Sequence, residues 1–113
     1  MDPIKIYKEQ QYSIKDRLKA VILLHQGVVK NIHFMLKDQE KKEIYWIKAL
    51  NILAQLIVST DTVRGGDAAQ AIYYLYEYLY HRLASKKEEA SEEVIQFLKQ
   101  LTETLEQNRR KRK

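Results

Sequence analysis

The 113-residue chain contains no cysteine, one proline and three glycines. Without a thiol there is no disulfide, no thiolate metal site and no cysteine nucleophile, a usage that suits a reducing compartment. No apolar run approaches the roughly 18 residues of a membrane span, and the first residues lack the apolar core of a signal peptide. A soluble, cytoplasmic protein is expected. Scarce proline and glycine leave long stretches uninterrupted, and these are dense in Leu, Ile, Ala, Glu and Lys, all strong helix formers. The length admits one domain with one core, so an all-α domain is the natural class.

Catalytic chemistry is equally sparse. No Gly-rich phosphate loop, nucleophile elbow or HExxH zinc motif occurs. His25 and His33 lie roughly 12 Å apart along a helix that rises about 1.5 Å per residue, too far to share a metal. Glu77 and His81 form a single pair at a spacing of four, whereas di-iron bundles use two copies of Glu-x-x-His. We therefore expect no metal, no cofactor and no catalytic residue.

The net charge of +5 is concentrated at one end. Residues 109–113 read RRKRK, and without them the basic and acidic residues cancel. Such a run is either a solvated tail, whose cations suit the C-terminal end of a helix dipole, or a source of salt-dependent affinity for phosphates.

What the chain has in excess is apolar helical surface. Residues 65–83, GGDAAQAIYYLYEYLYHRL, hold five of the eight tyrosines. Gly65 and Gly66 supply a turn, and Asp67 is a candidate N-cap. Ala68, Ile72, Leu75, Tyr76, Leu79 and Leu83 then recur at steps of three and four, forming one face. Tyr73, Tyr74, Tyr78 and Tyr80 fall beside or opposite it, more than the roughly three apolar positions in seven that a bundle helix needs. The extra rings are either amphipathic packing or part of a groove for a partner helix. A second helix, from about Lys42 to Asp61, repeats the surplus. Lys48, Asn51, Gln55 and Ser59 form one narrow polar stripe, and most of the remaining circumference is apolar. Such a helix must be covered nearly all round, by its own domain or by something else.

Two further helices complete the pattern. The first starts at Ser13, with Asp16 completing a capping box, or at Asp16 itself, and runs to about Asp38. Its inward positions are Leu18, Val21 or Ile22, Leu24 or His25, Val28, Ile32 and Met35 or Leu36. Gly27 marks the close approach of another helix. The last helix has Ser91 as N-cap and an inward stripe of Val94, Phe97 or Leu98, Leu101 and Leu105, with Ile95 off it. Short polar connections make this an antiparallel four-helix bundle over residues 14–108. A tail of residues 1–13, made sticky by Ile4, Ile6, Tyr7 and Tyr12, precedes it, and the basic tail of residues 109–113 follows.

These residues carry a resemblance to the flagellin-export chaperones of the FliS type. Tyr7 and Gly27 stand at the separation of that family's N-terminal tyrosine and the glycine of its L-L-Y-D-G-like segment, here Leu23, Leu24, His25, Gln26 and Gly27. DQEKKEIYWIKALNILAQLIVSTD resembles the family's second helix. Gly65 and Gly66, followed by LYEYLYHRL, resemble its glycine, Leu-Tyr-Asp-Tyr and terminal Arg-Leu. The chain departs from the family at Asp16 and Arg17, which occupy a Ser-Pro place, at His25, which replaces a tyrosine, and in lacking a tryptophan near the end.

The resemblance implies a bundle that binds the C-terminal segment of flagellin in apolar grooves, keeping it from polymerising before export, with export-apparatus components as further partners. It also implies that the tail around Tyr7 occupies part of that surface until flagellin displaces it. By excess apolarity, the groove residues would be Ile44, Ile47, Leu50, Ala54, Ile57, Tyr74 and Tyr78. Two rival readings are a nucleic-acid-binding bundle that uses RRKRK, and a structural bundle that satisfies its surplus by self-association, as a homodimer without a client.

Overall fold

The computed structural model describes residues 14–61, 63 and 65–111. Four helices account for nearly all of them: α1 Ile14–Lys37, α2 Lys42–Ser59, α3 Gly66–Ala84 and α4 Glu88–Lys111. Short connections turn each helix back along its predecessor, and α1 also packs along α4, so the four form an antiparallel bundle with α1 across the core from α3. The backbone of α1 approaches α2 and α4 closely, whereas that of α3 stands farther from its neighbours.

Every helix contributes to the core. Val28, Ile32 and Met35 of α1, Leu53 and Leu56 of α2, Leu79 and Leu83 of α3, and Val94 and Leu98 of α4 are all at most 2% exposed. Fully burying one such side chain contributes about 1.5–3 kcal/mol. Among the alternatives on α1, Ile22, His25 and Met35 take the innermost positions, while Val21, Leu24 and Leu36 are half-buried beside them. The close approach at Gly27 is with α2, where a Cβ would stand 3.2 Å from Ile52 Cδ1.

One helix start agrees with a sequence expectation, and two differ. Helix α1 begins at Ile14, so Asp16 lies inside the helix, as the first of the two expected starts has it, and is not its N-cap; Ser13 lies outside the described residues. At α3 the glycine pair itself makes the entry. A Cβ on Gly65 would lie 2.4 Å from that of Ala69, and Gly66 adopts φ of +64°, so Asp67 falls within the first turn and offers its charge to the helix dipole. Helix α4 begins at Glu88, which leaves Ser91 fully buried inside the helix.

Two inward faces also need correction. Ile95 is buried, facing α1 beside Leu36, and Phe97 is 39% exposed and turned toward Tyr78 of α3. On α3 the apolar face is buried only in its second half. Tyr76, Leu79 and Leu83 enter the core, whereas Ala68 and Ile72 are exposed, because the N-terminal turns of this helix stand off the bundle.

Candidate functional site

The phase of α2, which composition leaves open, is set by its neighbours. On one side Tyr45 meets Phe34 of α1 with ring centroids 5.2 Å apart, and Ile52 meets Gly27. On the other, Trp46 donates its Nε1 hydrogen to the Leu83 carbonyl of α3 over 2.9 Å. Leu50 and Ile57, four and eleven residues after Trp46, return to the same side of the helix. Leu50 is 7% exposed and belongs to the core, and Ile57 is half-buried against it. Ala54 is also half-buried. Ile44, Ile47 and Val58 face solvent at 52%, 48% and 84% exposure, interleaved with Lys48, Asn51 and Gln55. Branched aliphatic side chains are therefore exposed toward both ends of α2, forming a strip that Asn51 and Gln55 interrupt and Ala54 borders. Val58 belongs to this strip although the polar residues next to it, Gln55 and Ser59, had hidden its direction.

The tyrosines of α3 divide between two sides. Tyr78 donates to Glu93 Oε1 over 2.5 Å and packs edge-on against Phe97, so it faces α4. Arg82, one turn on, donates from Nη2 and Nε to Glu93 Oε2 over 2.8 and 3.1 Å. The hydrogen bond from Tyr78, with that from Arg82, holds the Glu93 carboxyl below its ordinary range, and Glu93 in turn raises the Tyr78 hydroxyl. Tyr74 is the most exposed ring, at 66%. Tyr73 and Tyr80, seven residues apart, share the opposite side of α3 and are half-buried, Tyr80 against the core. The expected groove residues are thus split: Ile44, Ile47, Ala54 and Ile57 belong to the α2 surface, whereas Tyr78 belongs to the α3–α4 surface. The rings on the side of α3 away from Tyr78 are Tyr73 and Tyr80, which the apolar count did not single out; their shared spacing of seven was the available signal. Tyr7 lies outside the described residues.

Inside the bundle, His25 joins three helices. Its Nε2 lies 2.7 Å from Tyr76 Oη and its Nδ1 3.2 Å from Thr102 Oγ1. Both partners are hydroxyls, which donate or accept, so a neutral imidazole is satisfied in either tautomer. Burial lowers the His25 pKa to about 4 and pushes Tyr76 up to about 12, so both are neutral at physiological pH. Beside Tyr76, where α1 and α3 begin and α2 and α4 finish, an apolar cleft of about 230 Å³ opens among Leu18, Leu56, Ile72 and Leu105. It lies under the half of α3 that stands off the bundle.

The bundle, the widely spaced tyrosine helix and the exposed aliphatic side chains of α2 are a combination suited to holding another chain's apolar face. Among the described residues no helix is long and apolar enough to cross a membrane. No curated protein matches the chain. The family model described as flagellar protein FliS matches residues 1–112, nearly the whole length. The chain therefore belongs to the FliS family, the helical-bundle chaperones of flagellar export.

Proposed function

We propose that this protein is the cytoplasmic chaperone that holds the C-terminal segment of flagellin as a helix on its apolar surface until export. The observation that carries this reading is the strip of Ile44, Ile47 and Val58, exposed along α2 in a chain of this family. An amphipathic segment laid against it, with Ala54 and Ile57 at its edge and Tyr73 and Tyr80 as the adjoining wall, exchanges apolar surface on both partners for contact. Each Å² removed from water is worth about 25 cal/mol, which must offset the cost of ordering a segment that is unstructured alone. While bound, the face the segment uses in polymerisation is covered. Tyr74 and Tyr78 would serve a continuation of the same client around α3. The segment carrying Tyr7 would compete for this surface, so deletion of residues 1–12 should raise client affinity.

Coexpression with a C-terminal fragment of flagellin from the same organism tests the reading. A stable complex with more helix by circular dichroism than its separated parts is expected. Ile47→Asp, at a position that supports no core packing, should weaken the complex by about tenfold or more while leaving the melting temperature nearly unchanged. Tyr74→Ala should weaken it less. Absence of a complex at micromolar concentrations would overturn the proposal.

A further inference from the structure

Apart from the α2 strip, α1 and α4 frame a second groove of about 690 Å³. Val29 and Phe34 supply apolar surface, and Lys30, Lys37 and Lys99 stand around them with a single carboxylate, Glu103. Phe34 is 40% exposed, and its ring is held from behind by Tyr45 and from the side by the Lys30 ammonium, 5.7 Å from the centroid. Two cations elsewhere are paired, Arg82 with Glu93 and Lys86 with Glu43. Among the described residues Lys37 and Lys99 meet no carboxylate. The groove thus combines an aromatic anchor point with a rim of three cations against one carboxylate, and Lys99 at its edge also borders the cleft that holds Glu89, Glu92 and Glu93.

We propose that this groove is a second docking surface, for an acidic amphipathic helix of a partner protein. The charge of the rim selects the occupant. Lys30 and Lys37 are seven residues apart, roughly 10 Å along α1, which matches carboxylates at i and i+7 on a docked helix. Between those, apolar side chains at i+3 and i+4 would reach Phe34, and one just before the first carboxylate would reach Val29. Nucleic acid fits less well. Three lysines without an arginine give few phosphate contacts, Glu103 repels a phosphate chain, and an exposed phenylalanine at the floor favours an apolar side chain. The surface shares no residue with the strip on α2, so it could be occupied while that strip holds a client.

The test uses the full-length protein, ¹⁵N-labelled, and an 18-residue helical peptide with leucines on one face and glutamates flanking them. Its twin carries lysine at each glutamate. The glutamate peptide should shift amides of residues 29–37 and 99–103, and the triple variant Lys30→Glu, Lys37→Glu, Lys99→Glu should bind it about tenfold or more weakly. The same variant should gain affinity for the lysine twin and keep its affinity for the flagellin fragment. Because all three lysines are on the surface, the variant is expected to fold, which its amide spectrum verifies. Equal binding of the two peptides to the wild-type protein, shifts confined to α2 and α3, tighter binding of a 20-base-pair DNA duplex, or occupation of the groove by a second copy of this chain would each overturn the proposal.

Discussion

His25 shows how one buried side chain couples this fold to pH. In the unfolded chain it takes up a proton near pH 6.5, whereas in the bundle it does so only near pH 4. Between those values the unfolded state binds more protons, so the stability contributed above pH 6.5 is lost as the pH falls toward 4, to an extent on the order of 3 kcal/mol. Urea unfolding at pH 7 and pH 5 should show a smaller loss for His25→Gln than for the wild type; equal losses would exclude His25 as the source. Ser91 offers the opposite case. Its Oγ is buried without a partner among the described residues, so the hydroxyl was desolvated for no hydrogen bond. Ser91→Ala should raise stability by up to about 1 kcal/mol, and a loss of that size in the same assay would reveal a hidden partner. Neither role was legible in sequence. A serine three residues into a helix and a serine at its cap precede the same acidic pair, and His25 meets a tyrosine 51 residues away.

At the scale of elements the sequence was more informative, because apolar residues at steps of three and four carry the helix and its inner face together. The inward positions Val28, Ile32, Leu79, Leu83, Val94 and Leu98 all reach the core. Periodicity failed where it had no contrast. On α2 nearly every side is apolar, and only the contacts of Tyr45, Ile52 and Trp46 with its neighbours distinguish core from strip. On α3 the stripe continues through Ala68 and Ile72 beyond the point where the bundle covers it. That helix is also anchored unevenly. Its C-terminal end receives the Trp46 hydrogen bond, and Lys86 just beyond it reaches Glu43 over 2.9 Å and lies over the Trp46 ring at 4.3 Å. Local opening should follow this gradient: amide hydrogens of residues 70–75 should exchange faster than those of 79–84. Trp46→Phe, which deletes the indole donor, should cost about 1 kcal/mol and narrow the difference by speeding exchange at the C-terminal end. Uniform protection along α3 would contradict this picture.

For the whole molecule the decisive property is the distribution of charge relative to apolar surface. The +5 charge arises from residues 109–113, while the rest of the chain is balanced and the α2 strip exposes Ile44, Ile47 and Val58 with Lys48 as its one cation. The two ways such a molecule can bind a large partner therefore differ in thermodynamic signature. A client that folds onto the strip removes apolar surface from water, which requires a negative heat-capacity change, and it gains little from long-range attraction. A polyanion drawn to the basic end would release counterions, and its affinity would fall steeply as salt rises. Calorimetric titration of the flagellin fragment at several temperatures should thus give an enthalpy that becomes more favourable on warming. Its affinity should change less than about threefold between 50 and 200 mM salt, against losses of about a thousandfold or more for proteins that make many phosphate contacts. Removing residues 109–113 should leave both quantities unchanged. A steep salt dependence abolished by that truncation would move the binding surface from α2 to the basic end and reverse the functional assignment.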